Sequence, residues 1–271
     1  MQNSVIAKRG LVLLGCGKMG SAMLEGWLAG GLPATSVWVN DPNPSDWVQV
    51  QGVHLNTNLP ENPAIVLVAV KPQIMRDALP TLAPLGNGDT LFLSVAAGIT
   101  IATFEEMLGA QTPVIRSIPN TPAAVKQGIT AIIGNACVSE QQVQMAETLL
   151  SAIGQTVRLE TEDQMDAVTG LSGSGPAYVF HMIECLARAG EAQGLAPDLA
   201  MTLAKATVAG SGALAMQAEE TPSQLRVNVT SPNGTTQAGL NVLMDEETGL
   251  PPLIAQTIDA ATKRSKELAN G

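Results

Sequence analysis

The stretch LVLLGCGKMG, residues 11–20, sets Gly15, Gly17 and Gly20 between a run of β-type apolar residues and a helical segment. Upstream, Leu11, Val12, Leu13 and Leu14 form the unbroken apolar run expected of a strand buried on both faces. Downstream, Met23, Leu24, Trp27 and Leu28 recur at helical spacing and share one face. A lone G-x-G-x-x-G is equally an ordinary glycine-rich turn, and its place between strand and helix is what gives it meaning. There the first glycine permits the tight turn, the second lets a pyrophosphate approach the main chain, and the third lets the helix pack closely on the strand. The helix start adds unpaired N–H donors and partial positive charge, so the segment predicts a dinucleotide site.

Further along the chain, apolar runs at 37–39, 65–70, 91–95 and 114–116 read as strands, with helices at 73–82 and Ile101–Leu108 between them. Continuous apolar strands separated by helices indicate a parallel sheet covered on both faces, a Rossmann-type doubly wound α/β domain. The strand at 37–39 runs into Asn40, Asp41, Pro42 and Asn43. That place chooses between NAD and NADP, through an acid on the ribose hydroxyls or a basic group beside a 2′-phosphate. Asn40 accepts either cofactor, Asp41 repels a 2′-phosphate if it points at it, and no Arg or Lys follows nearby. After a strand-like 155–159 the chain becomes helix-rich, at 163 onward, 176–192, 197–218, 222–227, 237–244 and 252–268. The expected division is a dinucleotide-binding domain over 1–160 and an all-α domain over 161–271.

The chain has 271 residues, 45% hydrophobic, enough for one large domain or two ordinary ones. A formal net charge of -10 argues against nucleic acid or an anionic membrane as partner. An anionic ligand must then be held by backbone amides and helix N-termini rather than by a basic field. Three cysteines, Cys16, Cys137 and Cys185, are widely spaced, fit a reducing compartment and offer no zinc motif. No metal cluster is expected. Lys8, Arg9 and the run toward Cys16 resemble an export signal, but the apolar core is shorter than the roughly 7–15 residues required. The longest unbroken apolar stretch, 64–70, falls below the roughly 18 residues of a membrane span, so a cytoplasmic protein is expected.

Two polar, small-residue breaks interrupt the helical half. The first, LSGSGPAY at 171–178, reads as close helix or subunit packing. The second, VTSPNGTTQAGL at 229–240, reads as a capped connection between helices, since Ser, Thr and Asn favour helix N-termini and Pro and Gly favour turns. Such a turn can also aim successive N–H groups and the Ser231 hydroxyl at an anion, a nest without any lysine.

Taken in order, GCGKMG at 15–20, Val70-Lys71-Pro72, Ala96-Ala97-Gly98, Pro119-Asn120-Thr121-Pro122, LSGSGPAY and VTSPNGTT at 229–236 are similar to the pyrroline-5-carboxylate reductases. The resemblance covers essentially the whole chain, and its last two motifs are specific to that family. One departure is Asn233, where the family usually has Gly; Asn tolerates positive φ, which keeps a similar turn. The resemblance implies reduction of 1-pyrroline-5-carboxylate to L-proline, the last step of proline biosynthesis, with NADPH as cofactor and NADH as the alternative. It implies that Thr236 hydrogen-bonds the ring nitrogen and that Ser231, Asn233, Gly234 and Thr235 line the substrate site. For the cofactor it implies Gly15, Gly17, Lys18, Met19 and Gly20 in the first loop, with Asn40 and Asn58. Val70, Lys71 and Pro72 lie beside the cofactor in this reading, and Ala97, Gly98, Asn120 and Thr121 near its nicotinamide end. Lys71 also reads as the rim residue that closes a buried strand. The family implies interlocked homodimers, often rings of dimers, and Ala206, Ala209, Gly210, Gly212 and Ala213 suit close helix packing.

His54 and His181 lie outside these motifs and read as structural. A two-domain hydroxyacid dehydrogenase is the competing enzyme class, but Lys205 is followed by Ala206, Thr207, Val208 and Ala209 and lacks the asparagine partner that such enzymes use. A dinucleotide-binding regulator without turnover is the alternative from another class.

Overall fold

A computed structural model describes residues 4–270. The chain runs α1 (Val5–Arg9), β1 (Leu11–Leu14), α2 (Lys18–Ala29), β2 (Val37–Asn40), α3 (Asp46–Gln49), β3 (His54–Leu55) and β4 (Ile65–Val68). It continues α4 (Met75–Ala78), β5 (Leu91–Ser94), α5 (Ile101–Leu108), β6 (Val114–Ile118), β7 (Gly128–Gly134), α6 (Glu140–Leu150), β8 (Gly154–Arg158) and α7 (Gln164–Val168). Helices alone follow: α8 (Gly175–Ala192), α9 (Pro197–Gln217), α10 (Pro222–Asn228), α11 (Thr235–Leu243) and α12 (Leu250–Asn270).

The strands form one sheet in the order β3-β2-β1-β4-β5-β6-β7-β8, and β1 to β6 are parallel to one another. Alternate residues of each strand enter opposite faces. Leu11, Leu13, Ile65, Leu67, Leu91 and Leu93 join Met23, Leu24 and Trp27 of α2 in one core. Val12, Leu14, Val66, Val68 and Phe92 join Met75, Leu79, Leu82, Phe104 and Leu108 in the other. This is the doubly wound, parallel-dominated sheet expected from the apolar runs.

Several elements differ from the expectation. The helix expected at 73–82 is α4 alone, flanked by 3-10 turns at Pro72–Ile74 and Leu79–Leu85; Pro80 and Pro84 remove the N–H groups an α-helix would need. Strand β7 and helix α6 carry no clean apolar run and were not expected. Strand β7 pairs antiparallel with β6, because the connection through the 3-10 turn Thr121–Val125 is too short for a crossover. The strand after β3 ends at Val68, not at Val70, and α11 begins at Thr235, so both threonines lie in its first turn. LSGSGPAY is not a break: a π-turn at Thr169–Gly173 carries the chain from α7 toward α8.

Arg116 is buried in β6 at 4% exposure, and its guanidinium meets Glu162 Oε1 at 2.8 Å. The same oxygen accepts the Ile101 N–H at 2.9 Å, tying the start of α5 to the segment after β8. Arg116 Nε finds no acceptor among the described residues, so this charge already lacks one hydrogen bond. Glu162→Ala is expected to destabilise the protein by about 3 kcal/mol, the lower end for breaking a buried pair because Glu162 is partly exposed. Chemical denaturation measures this; a loss below about 0.5 kcal/mol, the scale of an ordinary surface change, refutes it.

Contacts divide the chain into two units, one up to Gly173 with the segment from Ala261 onward, the other Ser174–Ala260. In the second unit α8 packs on α9 at small residues, where a Cβ on Gly190 would stand 3.3 Å from Ala200 Cβ. Its buried hydrophobic residues are Ala187, Ala200 and Ala204, all small. Phe180, Leu203, Leu214 and Met216 are 59%, 48%, 54% and 69% exposed. Helix α9, with 21 residues and a mean hydropathy of 1.3 over an 18-residue window, is long and apolar enough to cross a membrane by length and composition. Counting unbroken runs overlooked it, because Thr202, Lys205 and Thr207 divide its apolar residues.

Candidate functional site

Because β1 to β6 are parallel, the segments that follow them emerge at one edge of the sheet. The glycine loop follows β1, Asn40 ends β2, Asn58 lies beyond β3, Val70-Lys71-Pro72 follow β4, Ala97 and Gly98 follow β5, and Asn120 and Thr121 follow β6. The carboxyl edge of an open α/β sheet, beside the point where strand order reverses, is where such folds bind ligands, and here the reversal lies between β1 and β4.

Within the loop, each glycine meets the requirement that the spacing implies. Gly15 has φ +84, and a Cβ there would stand 2.9 Å from both Ala69 O and Val70 Cγ1. A Cβ on Gly20 would stand 2.9 Å from Gly15 O. At Gly17 a Cβ would meet no atom within 4 Å, so the chain leaves open space where the backbone is to be approached. Gly17 is also the N-cap of α2 without a side-chain cap bond, and the N–H groups of Lys18, Met19 and Gly20 precede the first α-helical acceptor pattern. A pyrophosphate suits these groups: amide donors, a helix dipole and an opening where a side chain would stand.

Around the loop, Gly15 N donates to Asn40 O at 2.8 Å and Cys16 N to Asp41 Oδ2 at 2.6 Å. Burial pushes the Cys16 thiol above the ordinary thiol range; a hydrogen bond with Ser21 opposes this and the Asp41 charge adds to it. A raised thiol pKa favours the neutral form in the folded state. The stability it contributes is therefore complete below the unfolded value of about 8.5 and is lost as pH rises through the higher folded value. Native protein is expected to leave Cys16 unalkylated at neutral pH, and mass spectrometry of iodoacetamide-treated protein reads this directly. Labelling of Cys16 before denaturation contradicts it.

Asn120 has Oδ1 on the Ile129 N–H at 3.0 Å, and its Nδ2 donates to Ser172 O and Oγ at 3.4 Å each. The NTP segment is thus joined to the π-turn of the LSGSG segment, and π-turns occur frequently at functional sites. Lys71, Ala97 and Thr121 are exposed.

The second set of expected residues lies in the other unit. Gly234 N donates to Ser231 O at 3.0 Å, closing a turn with Pro232 at its second position and Asn233, φ 59, at its third. Pro fixes a negative φ and Asn tolerates the left-handed region, which together make a type II turn. Gly234 is the N-cap of α11 and has no side-chain cap bond, so the amides of Thr235, Thr236 and Gln237 lack an intrahelical acceptor. Ser231, Thr235 and Thr236 are exposed. The turn therefore presents amide donors and hydroxyls together, as an anion with an adjacent hydrogen-bonding group requires.

Asn56 was not among the expected site residues, and Asp41 was read only as a charge whose direction was open. Asn56, at φ 51, accepts from Asp41 N at 2.9 Å and donates to Asp41 O at 2.8 Å. Nothing in Leu55-Asn56-Thr57-Asn58 distinguishes Asn56 from the exposed Asn58, whereas the charge of Asp41 at a strand end was a usable signal.

Residues 162–268 match the family model described as pyrroline-5-carboxylate reductase dimerisation, and residues 10–98 match the one described as NADP oxidoreductase coenzyme F420-dependent. A pyrroline-5-carboxylate reductase of Pseudomonas aeruginosa is 38% identical over 265 residues, covering 96% of both chains. The structure of a pyrroline-5-carboxylate reductase from Coxiella burnetii superimposes with a TM-score of 0.91 at 32% identity, covering 96% of this chain and 98% of that one. A Plasmodium falciparum pyrroline carboxylate reductase with NADP bound gives 0.83 at 27% identity, covering 97% and 99%.

Proposed function

The chain belongs to the pyrroline-5-carboxylate reductase family, and we propose that the 231–236 turn holds the substrate carboxylate while Thr236 faces the ring nitrogen. The protein is an oxidoreductase that reduces 1-pyrroline-5-carboxylate to L-proline with NAD(P)H, the final step of proline biosynthesis. The observation that carries the site assignment is the uncapped start of α11, a row of free amides behind a left-handed Asn233.

The reduced nicotinamide supplies a hydride to the imine carbon when it is bound. The chain's part is to bind and orient. The amides of Thr235, Thr236 and Gln237 and the Ser231 hydroxyl donate to the carboxylate at the positive end of α11. The Thr236 hydroxyl hydrogen-bonds the ring nitrogen; it is too weak an acid to give up its proton freely, so it positions the ring and relays, the proton coming from solvent or arriving on an already protonated iminium. Holding both reactants in contact geometry supplies most of the acceleration. The cofactor-binding set is the glycine loop with Asn40, Asn58, Val70, Lys71, Pro72, Ala97, Gly98, Asn120 and Thr121. The family resemblance puts NADPH first and NADH second, and the order of the two turns on the residues at the end of β2. Consumption of reduced cofactor on addition of 1-pyrroline-5-carboxylate, with none on a 2-hydroxy or 3-hydroxy acid plus oxidised cofactor, tests the reading; the reverse pattern overturns it.

The second unit supports a homodimer, or a ring of dimers. Three buried alanines do not make a core, and Phe180, Leu203, Leu214 and Met216 are exposed apolar side chains for a second copy to cover. Sedimentation is expected to show a dimer or larger assembly, and Leu203→Glu to shift it toward monomer or to prevent folding. A wild-type monomer at micromolar concentration refutes this.

A further inference from the structure

We propose that Asp41 selects the cofactor, accepting an unphosphorylated adenosine ribose and opposing a 2′-phosphate, so that NADH is used in preference to NADPH. The inference rests on the reading of the glycine loop as the dinucleotide site.

Asp41 directly follows β2, and its main chain is clamped from both sides by the Asn56 amide at 2.9 and 2.8 Å. Its carboxylate is equally fixed. Oδ2 accepts the Cys16 N–H at 2.6 Å, inside the G-x-G segment, and Oδ1 accepts the Asn43 N–H at 2.8 Å. The side chain therefore points at the glycine loop, which settles the orientation that the sequence left open. Swinging it away would leave the Cys16 and Asn43 amides without that acceptor. Each carboxylate oxygen retains a lone pair for a hydroxyl donor, and the ribose of NADH carries two vicinal hydroxyls. A 2′-phosphate brings further negative charge and no donor when fully ionised, and like charges at this range oppose each other.

No Lys or Arg stands at the end of β2 or in the segment after it. Between Lys18 and Lys71 the sequence has no Lys or Arg. The one basic side chain in that interval, His54, is stacked on Trp38 at 4.4 Å and has Nε2 on Thr35 O at 3.0 Å. NADP-binding sites of this architecture use a basic group at this place to meet the 2′-phosphate. Here a carboxylate stands there instead.

The test is direct binding to the intact protein, read by fluorescence titration, together with kcat/KM for both cofactors on 1-pyrroline-5-carboxylate. Wild type is expected to bind NADH at least about tenfold more tightly than NADPH, since one such opposing contact is worth a factor of that order. Asp41→Asn keeps the shape and an acceptor for Cys16 N while removing the charge, and is expected to narrow the ratio at least about fivefold through gained NADPH affinity. A readout needing no variant is displacement of NADH by 5′-AMP, which should exceed displacement by adenosine 2′,5′-bisphosphate. NADPH bound as tightly as NADH by wild type, or equal weakening of both cofactors in Asp41→Asn, overturns the selection and leaves the glycine-loop reading intact. Failure of both dinucleotides to bind overturns the selection and the glycine-loop reading together.

Discussion

Gly17→Val is expected to leave the fold in place and to weaken dinucleotide binding by at least about a hundredfold. The substitution separates binding from folding because of where a side chain would go. A Cβ on Gly17 meets no atom of the chain within 4 Å, and φ -70 with ψ -161 is extended backbone that other residues adopt. Replacing an uncapped Gly N-cap by valine costs the helix on the order of 1 kcal/mol at most. The new methyl groups instead fill the opening through which a pyrophosphate reaches the N–H groups of α2. Displacing even two charge-assisted hydrogen bonds, each worth about 1.5–3 kcal/mol, corresponds to that hundredfold or more. Calorimetric titration with NADH and NADPH reads the loss, and a melting curve checks the fold. Binding retained within about threefold, with an unchanged melting temperature, would show that the phosphates lie elsewhere, because a difference of under 1 kcal/mol is too small for that clash. Gly15 and Gly20 are poorer tests. A Cβ at either would stand 2.9 Å from backbone oxygen and disturb the loop itself.

Thr236→Ala is expected to lower kcat by ten- to a thousandfold, a range running from a modest proton-relay effect to loss of one transition-state donor. The residue lies in the first turn of α11 and is exposed, and the N-cap role belongs to Gly234, so the helix does not depend on its hydroxyl. Thr236→Ser, which keeps the hydroxyl, should recover most of the rate. Cofactor affinity should be unchanged in both variants, since the glycine loop is untouched. A kcat for Thr236→Ala equal to that of wild type, in folded protein, removes Thr236 from the mechanism. A change confined to KM would instead assign it to ground-state binding.

How far the sequence could be read follows from how local each signal is. Strands β1, β4 and β5 and helix α5 were legible because their apolar residues come in unbroken or periodic runs. The glycine loop was legible because each of its glycines answers a local steric demand. Strand β7 was not: Gly128, Thr130 and Gly134 dilute its apolar pattern, and its reversal depends on the Thr121–Val125 turn, whose left-handed Lys126 no general preference announces. The π-turn at Thr169–Gly173 was equally hidden, since a run of Ser and Gly reads as a break until its backbone pairing is known. At the site, the 231–236 turn could be anticipated from Pro, Asn and Gly. The orientation of Asp41 could not, because its carboxylate is held by the Cys16 amide of the glycine loop, twenty-five residues away, while Asn56 clamps its main chain.

The near-empty interior of the helical unit ties assembly to folding. When a subunit has little core of its own, the free energy that keeps it ordered is drawn from association, and association weakens on dilution. Its melting temperature should then climb with protein concentration, and enzyme diluted to nanomolar levels should lose activity over time through separation of its chains while the catalytic groups stay chemically intact. For such a protein, the amount expressed in a cell is itself a determinant of how much of each chain is folded.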